Sequence, residues 1–120
     1  MIQTESTNPE LIQLIKQLKK ESREKDAPIW LDVAEQLAQS RSRRAAVNLS
    51  SINRNTKKAD IIVVPGKILG TGSLTHPITV AAFSVSETAK AKLDAIKAKY
   101  LTIPELVAEN PKGSNIKIIR

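Results

Sequence analysis

Residues 61–86, IIVVPGKILGTGSLTHPITVAAFSVS, contain one charged side chain, Lys67. Within this stretch Ile61–Val64 and Ile78–Val85 are rich in β-branched residues and apolar at consecutive positions. Strands with one solvated face alternate apolar and polar residues. A continuous apolar run bounded by Pro65-Gly66, Gly70, Gly72 and Pro77 instead predicts strands buried on both faces, as in a sheet covered by helices. Ile62, Val64, Val80 and Ala82 are therefore expected to be almost fully buried, together with Leu93 from a covering helix.

Candidate covering helices flank the stretch. Asn8-Pro9-Glu10 has the pattern of an N-cap, a proline at the first helical position and an acid at the positive end of the dipole. Leu11, Leu14, Ile15 and Leu18 follow at helical spacing, which predicts a helix over about 9–24. Asp26-Ala27-Pro28 breaks it and starts a second helix with Trp30, Val33, Ala34 and Leu37 on one stripe, so the N-terminal part reads as a helical hairpin. Ala45, Ala46, Val47, Leu49 and Ile52 suggest an anchored strand or turn. Downstream, Ser84 and Glu87 have capping-box spacing before a helix that places Ala89, Leu93, Ile96 and Tyr100 on one face. Thr102 and Glu105 repeat that spacing, with Leu101 and Leu106 as a hydrophobic staple, and this helix ends at Asn110-Pro111. A turn over 112–115 leads to a last strand, Ile116–Ile119. Alternating strands and helices over the C-terminal two-thirds give the fold class α/β. The length of 120 residues fits a single domain over 1–120, with residues 1–7 a polar tail.

Composition excludes several chemistries. There is no cysteine, so thiolate metal sites, disulfides and cysteine nucleophiles are out. The single histidine, His76, lies between Thr75 and Pro77 without a nucleophile motif, so no catalytic residue, metal or cofactor is expected. The glycine-rich segment 65–73 matches neither a Walker loop nor the dinucleotide pattern, and a strand follows it where each motif needs a helix. It reads as turns between strands; a lesser reading lets its N–H groups and Lys67 touch phosphate. With a mean hydropathy of −0.22, no apolar run reaches the ~18–20 residues of a membrane span. The N-terminal segment lacks a basic-then-apolar export signal, so the cytoplasm is the expected setting.

The balance of 19 Lys+Arg against 12 Asp+Glu, a net +7, points to a polyanionic partner. Trp30, Phe83 and Tyr100 are the only aromatics, too few for a base-stacking platform. Nucleic acid would have to be held through phosphates, sugars and shape. From Gln36 to Ala59 there is no acid, and four of the six arginines, Arg41, Arg43, Arg44 and Arg54, lie there with Lys57 and Lys58. Guanidinium groups grip phosphate bidentately, and the interleaved apolar residues anchor the segment as a rigid surface. This window is the principal candidate interface. A weaker patch on the first helix comprises Lys16, Lys19, Lys20, Arg23 and Lys25, diluted by Glu21 and Glu24. Lysines 90, 92, 97 and 99 read as a solvated helix face.

Two rival classes are weaker. A DNA-binding helix-turn-helix would use the second helix for recognition, but residues 26–40 carry Asp32 and Glu35 and no Lys or Arg. A small nucleotide-using enzyme would need an active-site constellation that is not present.

With these elements placed, the chain resembles the archaeal and eukaryotic large-subunit ribosomal protein family eighteen-e, related to bacterial large-subunit ribosomal protein fifteen. The carrying segments are VPGKILG at 64–70, ITVAAFSVSETAK at 78–90 and NPKG at 110–113, supported by RSRRAAVNLS at 41–50 and NPEL at 8–11. Family members often have a glycine pair after the helix that begins near Ser86, where this chain reads Ile96-Lys97-Ala98. The resemblance implies a core that is an irregular superhelix of β-β-α units after the helical hairpin. It also implies a non-catalytic component of the cytoplasmic ribosome, with large-subunit ribosomal RNA and neighbouring ribosomal proteins as partners and no small-molecule substrate. Lys67 and Lys112, with Lys19, Lys20 and Arg23, join the arginine window as expected RNA contacts.

Overall fold

The computed structural model describes residues 9–39 and 45–119. The proposed N-cap Asn8, the tail 1–7, and Arg41, Arg43 and Arg44 lie outside the described residues. Helices α1 (Pro9–Glu24) and α2 (Pro28–Leu37) form the hairpin that the spacing predicts. Asp26, at φ +51°, turns the chain between them, and Ala27 N–H donates to the Ser22 carbonyl at 3.0 Å. Pro28 opens α2 with its φ already fixed near the helical value and no N–H of its own to leave unsatisfied, and Ala27 before it offers no side-chain cap. Next come β1 (Ala45–Asn48), α3 (Leu49–Asn55), β2 (Ile61–Leu69), β3 (Thr79–Val85), α4 (Glu87–Ala95), β4 (Lys99–Thr102), α5 (Ile103–Glu109) and β5 (Ile116–Ile118). The run β2-β3-α4 is a β-β-α unit, and the α/β class holds.

Every strand pairing is parallel, in the order β1-β2-β3-β4. β5 also pairs with β2, against residues 61–63, while β1 pairs with residues 66–69 on the same edge. Pro65 sits in the gap between these two partners. On its other edge the β2–β3 register shifts between Val64 and Lys67. Proline cannot donate to a ladder, and a bulge between two half-length partners is where a central strand can accommodate it. Pro65-Gly66 therefore kinks one nine-residue strand and does not end it, contrary to its reading as a strand boundary.

Side chains alternate across this sheet and both faces are covered. Val63, Ala81 and Leu101 pack with α1, α2 and α5. Ile62, Val64, Val80 and Ala82 pack on the opposite face with α3, α4 and Leu74 of the 70–78 loop. Ile62, Val64 and Val80 are 0% exposed, Leu93 1% and Ala82 2%, as expected from the charge-free runs.

Three local expectations change. The N-cap of α4 is Ser86, whose Oγ accepts the Ala89 N–H at 3.2 Å; Ser84 remains in β3. Helix α4 stops at Ala95, so Tyr100 belongs to β4 and not to a helix face. Residues 49–55 add a helix, α3, where an anchored strand or turn was expected. The box at Thr102 is present as read: Thr102 Oγ1 accepts from Glu105 N–H, and Glu105 Oε1 accepts from Thr102 N–H at 2.9 Å. These bonds, the backbone one foremost, hold the Glu105 carboxyl below its ordinary range.

Truncating Leu93 to Ala is expected to cost about 2–5 kcal/mol, read from urea unfolding of the free protein. Gly70 supplies a second test of packing. A Cβ there would lie 2.6 Å from Thr88 Cβ and 2.8 Å from the Ala89 backbone nitrogen. Gly70→Ala should destabilise by about 1–3 kcal/mol in the same assay, since the nearest backbone atom cannot move aside without shifting α4.

Candidate nucleic-acid interface

Much of what looks like a site in the sequence serves the fold. In the loop 70–78, Lys92 Nζ donates to the Gly70 and Gly72 carbonyls, both at 2.7 Å. Ser50 N–H donates to the Thr71 carbonyl, and Asn53 Oδ1 accepts both the N–H and the hydroxyl of Thr75 at 3.0 Å. Gly72 has φ +85° and lies against Ser50. The loop is thus fastened to α3 and α4 as a crossover between parallel strands. Lys92, expected on a solvated face, is one of its fasteners.

His76 has a similar role. Thr56, the buried polar residue of the core, donates its hydroxyl to the Ile52 carbonyl at 2.8 Å and lies 2.7 Å from His76 Nε2. With its single proton directed to Ile52, Oγ1 accepts from the imidazole. Among the described residues, no group of three His, Cys, Asp or Glu could hold a metal ion.

The NPKG segment is likewise a docking turn. Asn110 Nδ2 donates to the Ser114 carbonyl, the Pro111 carbonyl accepts the fully buried Trp30 Nε1–H at 2.7 Å, and Gly113 (φ +70°) packs against Ile29. Lys112 alone in this motif is exposed, with no partner among the described residues.

The cations fall into separate groups. Arg54 is exposed in the last turn of α3, and Lys57 and Lys58 are exposed in the turn that follows. None of these three side chains has a hydrogen-bond or ion-pair partner among the described residues. The nearby acid is already engaged. Asp60 Oδ2 accepts the Lys57 N–H at 2.8 Å and the Lys117 ammonium at 3.0 Å, which together hold its carboxyl below the usual range. Lys67 is exposed on β2, beside Ala46 and Ser84, roughly 20 Å along the strand from the Lys57–Lys58 turn. Lys19, Lys20 and Arg23 are on α1, across the sheet from α3, and Lys20 approaches Glu24 at 4.0 Å. The structure therefore joins Arg54, Lys57 and Lys58, and places Lys67 further along β2, Lys112 on the turn docked against α2 and the α1 patch across the sheet.

A further grouping escaped sequence reading. Lys97 and Lys99 follow the end of α4, and with Lys58 they line one surface concavity. The apolar period through Ile96 and Tyr100 imitates a longer helix, and no glycine marks its end. Helix α2 turns Trp30, Val33, Ala34 and Leu37 inward and leaves Glu35 outside, which removes the basis for a DNA-recognition helix.

Residues 2–120 match the family described as ribosomal protein 60S L18 and 50S L18e. The large ribosomal subunit protein eL18 of Methanococcus maripaludis is 52% identical over 114 residues, covering 95% of each chain. That of Methanothermobacter thermautotrophicus is 47% identical over 113 residues, 94% of this chain and 93% of its own. That of Archaeoglobus fulgidus is 45% identical over 113 residues, 94% and 97%. Glycines, histidine and one lysine are used in joining loops to helices, while Arg54, Lys57 and Lys58 stay outside the core. With a likeness that runs almost end to end, the chain belongs to the family of ribosomal protein 60S L18 and 50S L18e, structural components and not enzymes.

Proposed function

We propose that the protein is a structural constituent of the large ribosomal subunit in the cytoplasm, binding folded large-subunit ribosomal RNA through phosphate contacts and packing against neighbouring ribosomal proteins. The observation that carries this reading is the α3 end. Among the described residues the Arg54, Lys57 and Lys58 side chains make no hydrogen bond or close ion pair, and the adjacent acid is bonded to the protein's own backbone and to Lys117. In this reading Arg41, Arg43 and Arg44 extend the same contact. Lys67, Lys112 and the Lys19, Lys20 and Arg23 patch make separate contacts on other sides of the molecule. A protein that touches RNA on several faces with so few aromatic rings recognises shape and backbone, not base sequence.

Gradient fractionation of native lysate should place the protein stoichiometrically in the large subunit, with little free; a majority in the small subunit or free pool would refute the assignment. Affinity for large-subunit ribosomal RNA should fall steeply with salt. Each of Arg41→Ala, Arg43→Ala, Arg44→Ala and Arg54→Ala should lower the slope of log K against log salt by about one. The corresponding Lys substitutions should lose less than Ala without being neutral, because charge survives but the two-pronged geometry does not. Lys90→Ala, on the exposed side of α4, is the control. Wild-type affinity and slope in all four arginine variants would show that the interface is elsewhere.

A further inference from the structure

At the N-terminal end of the parallel sheet, Lys58, Lys97 and Lys99 surround a concavity floored by Pro77, Ile78 and Thr79. We propose that this cradle is a second binding surface for the phosphodiester backbone of RNA, continuing the interface around the sheet end from the Arg54–Lys58 segment; it rests on the reading of the protein as RNA-binding.

The floor is rigid. Ala59 N–H donates to the Pro77 carbonyl, Lys99 N–H to the Ile78 carbonyl and Thr79 N–H to the Asp60 carbonyl, each at 2.9 Å. The floor carries no charge, and two of the three ammonium groups around it, those of Lys58 and Lys97, have no partner among the described residues. Lys99 is bonded to Glu109 at 3.1 Å, but both side chains are more than half exposed. An exposed pair of that kind contributes little and exchanges readily for a phosphate. Asp60, the acid beside the floor, is held by Lys117 and the Lys57 N–H and leaves the cradle positive.

The backbone supplies an independent observation. Two non-glycine residues on this concavity are in the left-handed region, Ala59 at φ +70° and Lys97 at φ +59°. Lys97 occupies the position after the C-cap of α4 in a Schellman arrangement. Its N–H donates to the Asp94 carbonyl, and the Ala98 N–H donates to the Leu93 carbonyl, both at 3.0 Å. Glycine fits that position without strain, whereas a lysine is held there against its conformational preference. Retained strain at a surface concavity is a feature of functional sites. The competing account is that Lys97 only answers the negative end of the α4 dipole.

The two accounts separate in the substitution Lys97→Gly. The intact protein and this variant are titrated with full-length large-subunit ribosomal RNA across a salt series, and thermal unfolding of each free protein is followed. Lys97→Gly relieves the strain, so the fold should hold and the melting temperature stay level or rise. Affinity should nevertheless fall roughly threefold to tenfold at low salt, with the salt slope lower by about one, the scale of one phosphate contact. Lys97→Asn, uncharged and tolerant of the left-handed region, should show the same loss, which guards against an effect of glycine flexibility. Ala59→Gly relieves strain at the same cradle without changing charge and should leave affinity unaltered. Unchanged affinity and slope in both Lys97 variants, while Arg54→Ala binds more weakly, would overturn the cradle and leave the α3 interface standing. Loss of polyglutamate binding in place of RNA binding in the Lys97 variants would overturn it in favour of an acidic protein partner. Failure of the wild type to bind the RNA would refute the RNA-binding reading itself.

Discussion

Burial of β2 on both faces and both edges is the constraint on which the other elements depend. Its neighbours β1, β5 and β3 all run parallel to it, and parallel neighbours cannot be joined by tight hairpins. Each return path must cross a face of the sheet. The paths through α3, the 70–78 loop and α4 cover the face of Ile62 and Val64, while the hairpin and α5 cover that of Val63. A strand so enclosed excludes charge, and Lys67 is tolerated because it lies past the Pro65-Gly66 bulge where the side chain reaches solvent. Among the described residues no cation is buried, and the cations stand on helices, in turns and near the ends of strands. The placement of the basic surface follows from core topology before any partner is considered.

The crossovers explain why motif-like residues proved architectural. A loop that crosses a sheet must satisfy its own backbone groups without a ladder. Lys92, Asn53 and Ser50 supply those partners for 70–75, and the Thr56–His76 pair closes the loop against α3. Gly70 is required by proximity to α4 and Gly72 by its dihedral angle, two different reasons within one short segment. Trp30 does for the hairpin what Lys92 does for the loop, since its indole N–H reaches the carbonyl of Pro111, far along the chain.

What was legible in the sequence was local. The stripes of α1 and α2, the apolar runs of β2 and β3 and the Thr102–Glu105 box each follow from periodicity or capping chemistry, and each is present. What was not legible depends on partners distant in sequence. Pro65-Gly66 resembles a stop signal, and only the division of the β2 edge between β5 and β1 shows why the strand continues. Residues 49–55 carry too few apolar positions to declare a helical period; α3 forms because Leu49 and Ile52 are pinned in the second core and Thr56 closes its end. Ser84 and Ser86 both precede Glu87, and pairing of Ser84 with Lys67 in the sheet leaves Ser86 to cap. In the interface, the Arg54–Lys58 cluster was visible as an acid-free window. Lys97 and Lys99 were not, because their relation to Lys58 exists only once β4 lies beside β3.

Binding and stability are consequently carried by different residues. Among the described residues the buried set contains no charged side chain, and its polar member, Thr56, is satisfied internally. The ion pairs among the described residues, Lys20–Glu24, Lys99–Glu109 and Lys117–Asp60, are at the surface, where such pairs contribute little. The net charge of +7 therefore adds little to the folded state and, in the free protein, opposes compaction by self-repulsion. An anionic partner removes that repulsion without any rearrangement of the core. The two apolar clusters fix the backbone from which the exposed cations project, so the entropy of ordering that backbone is met by folding and not charged against binding. A lysine held in a left-handed turn belongs to the same logic: the fold absorbs its local strain, and the benefit appears only when a phosphate is present.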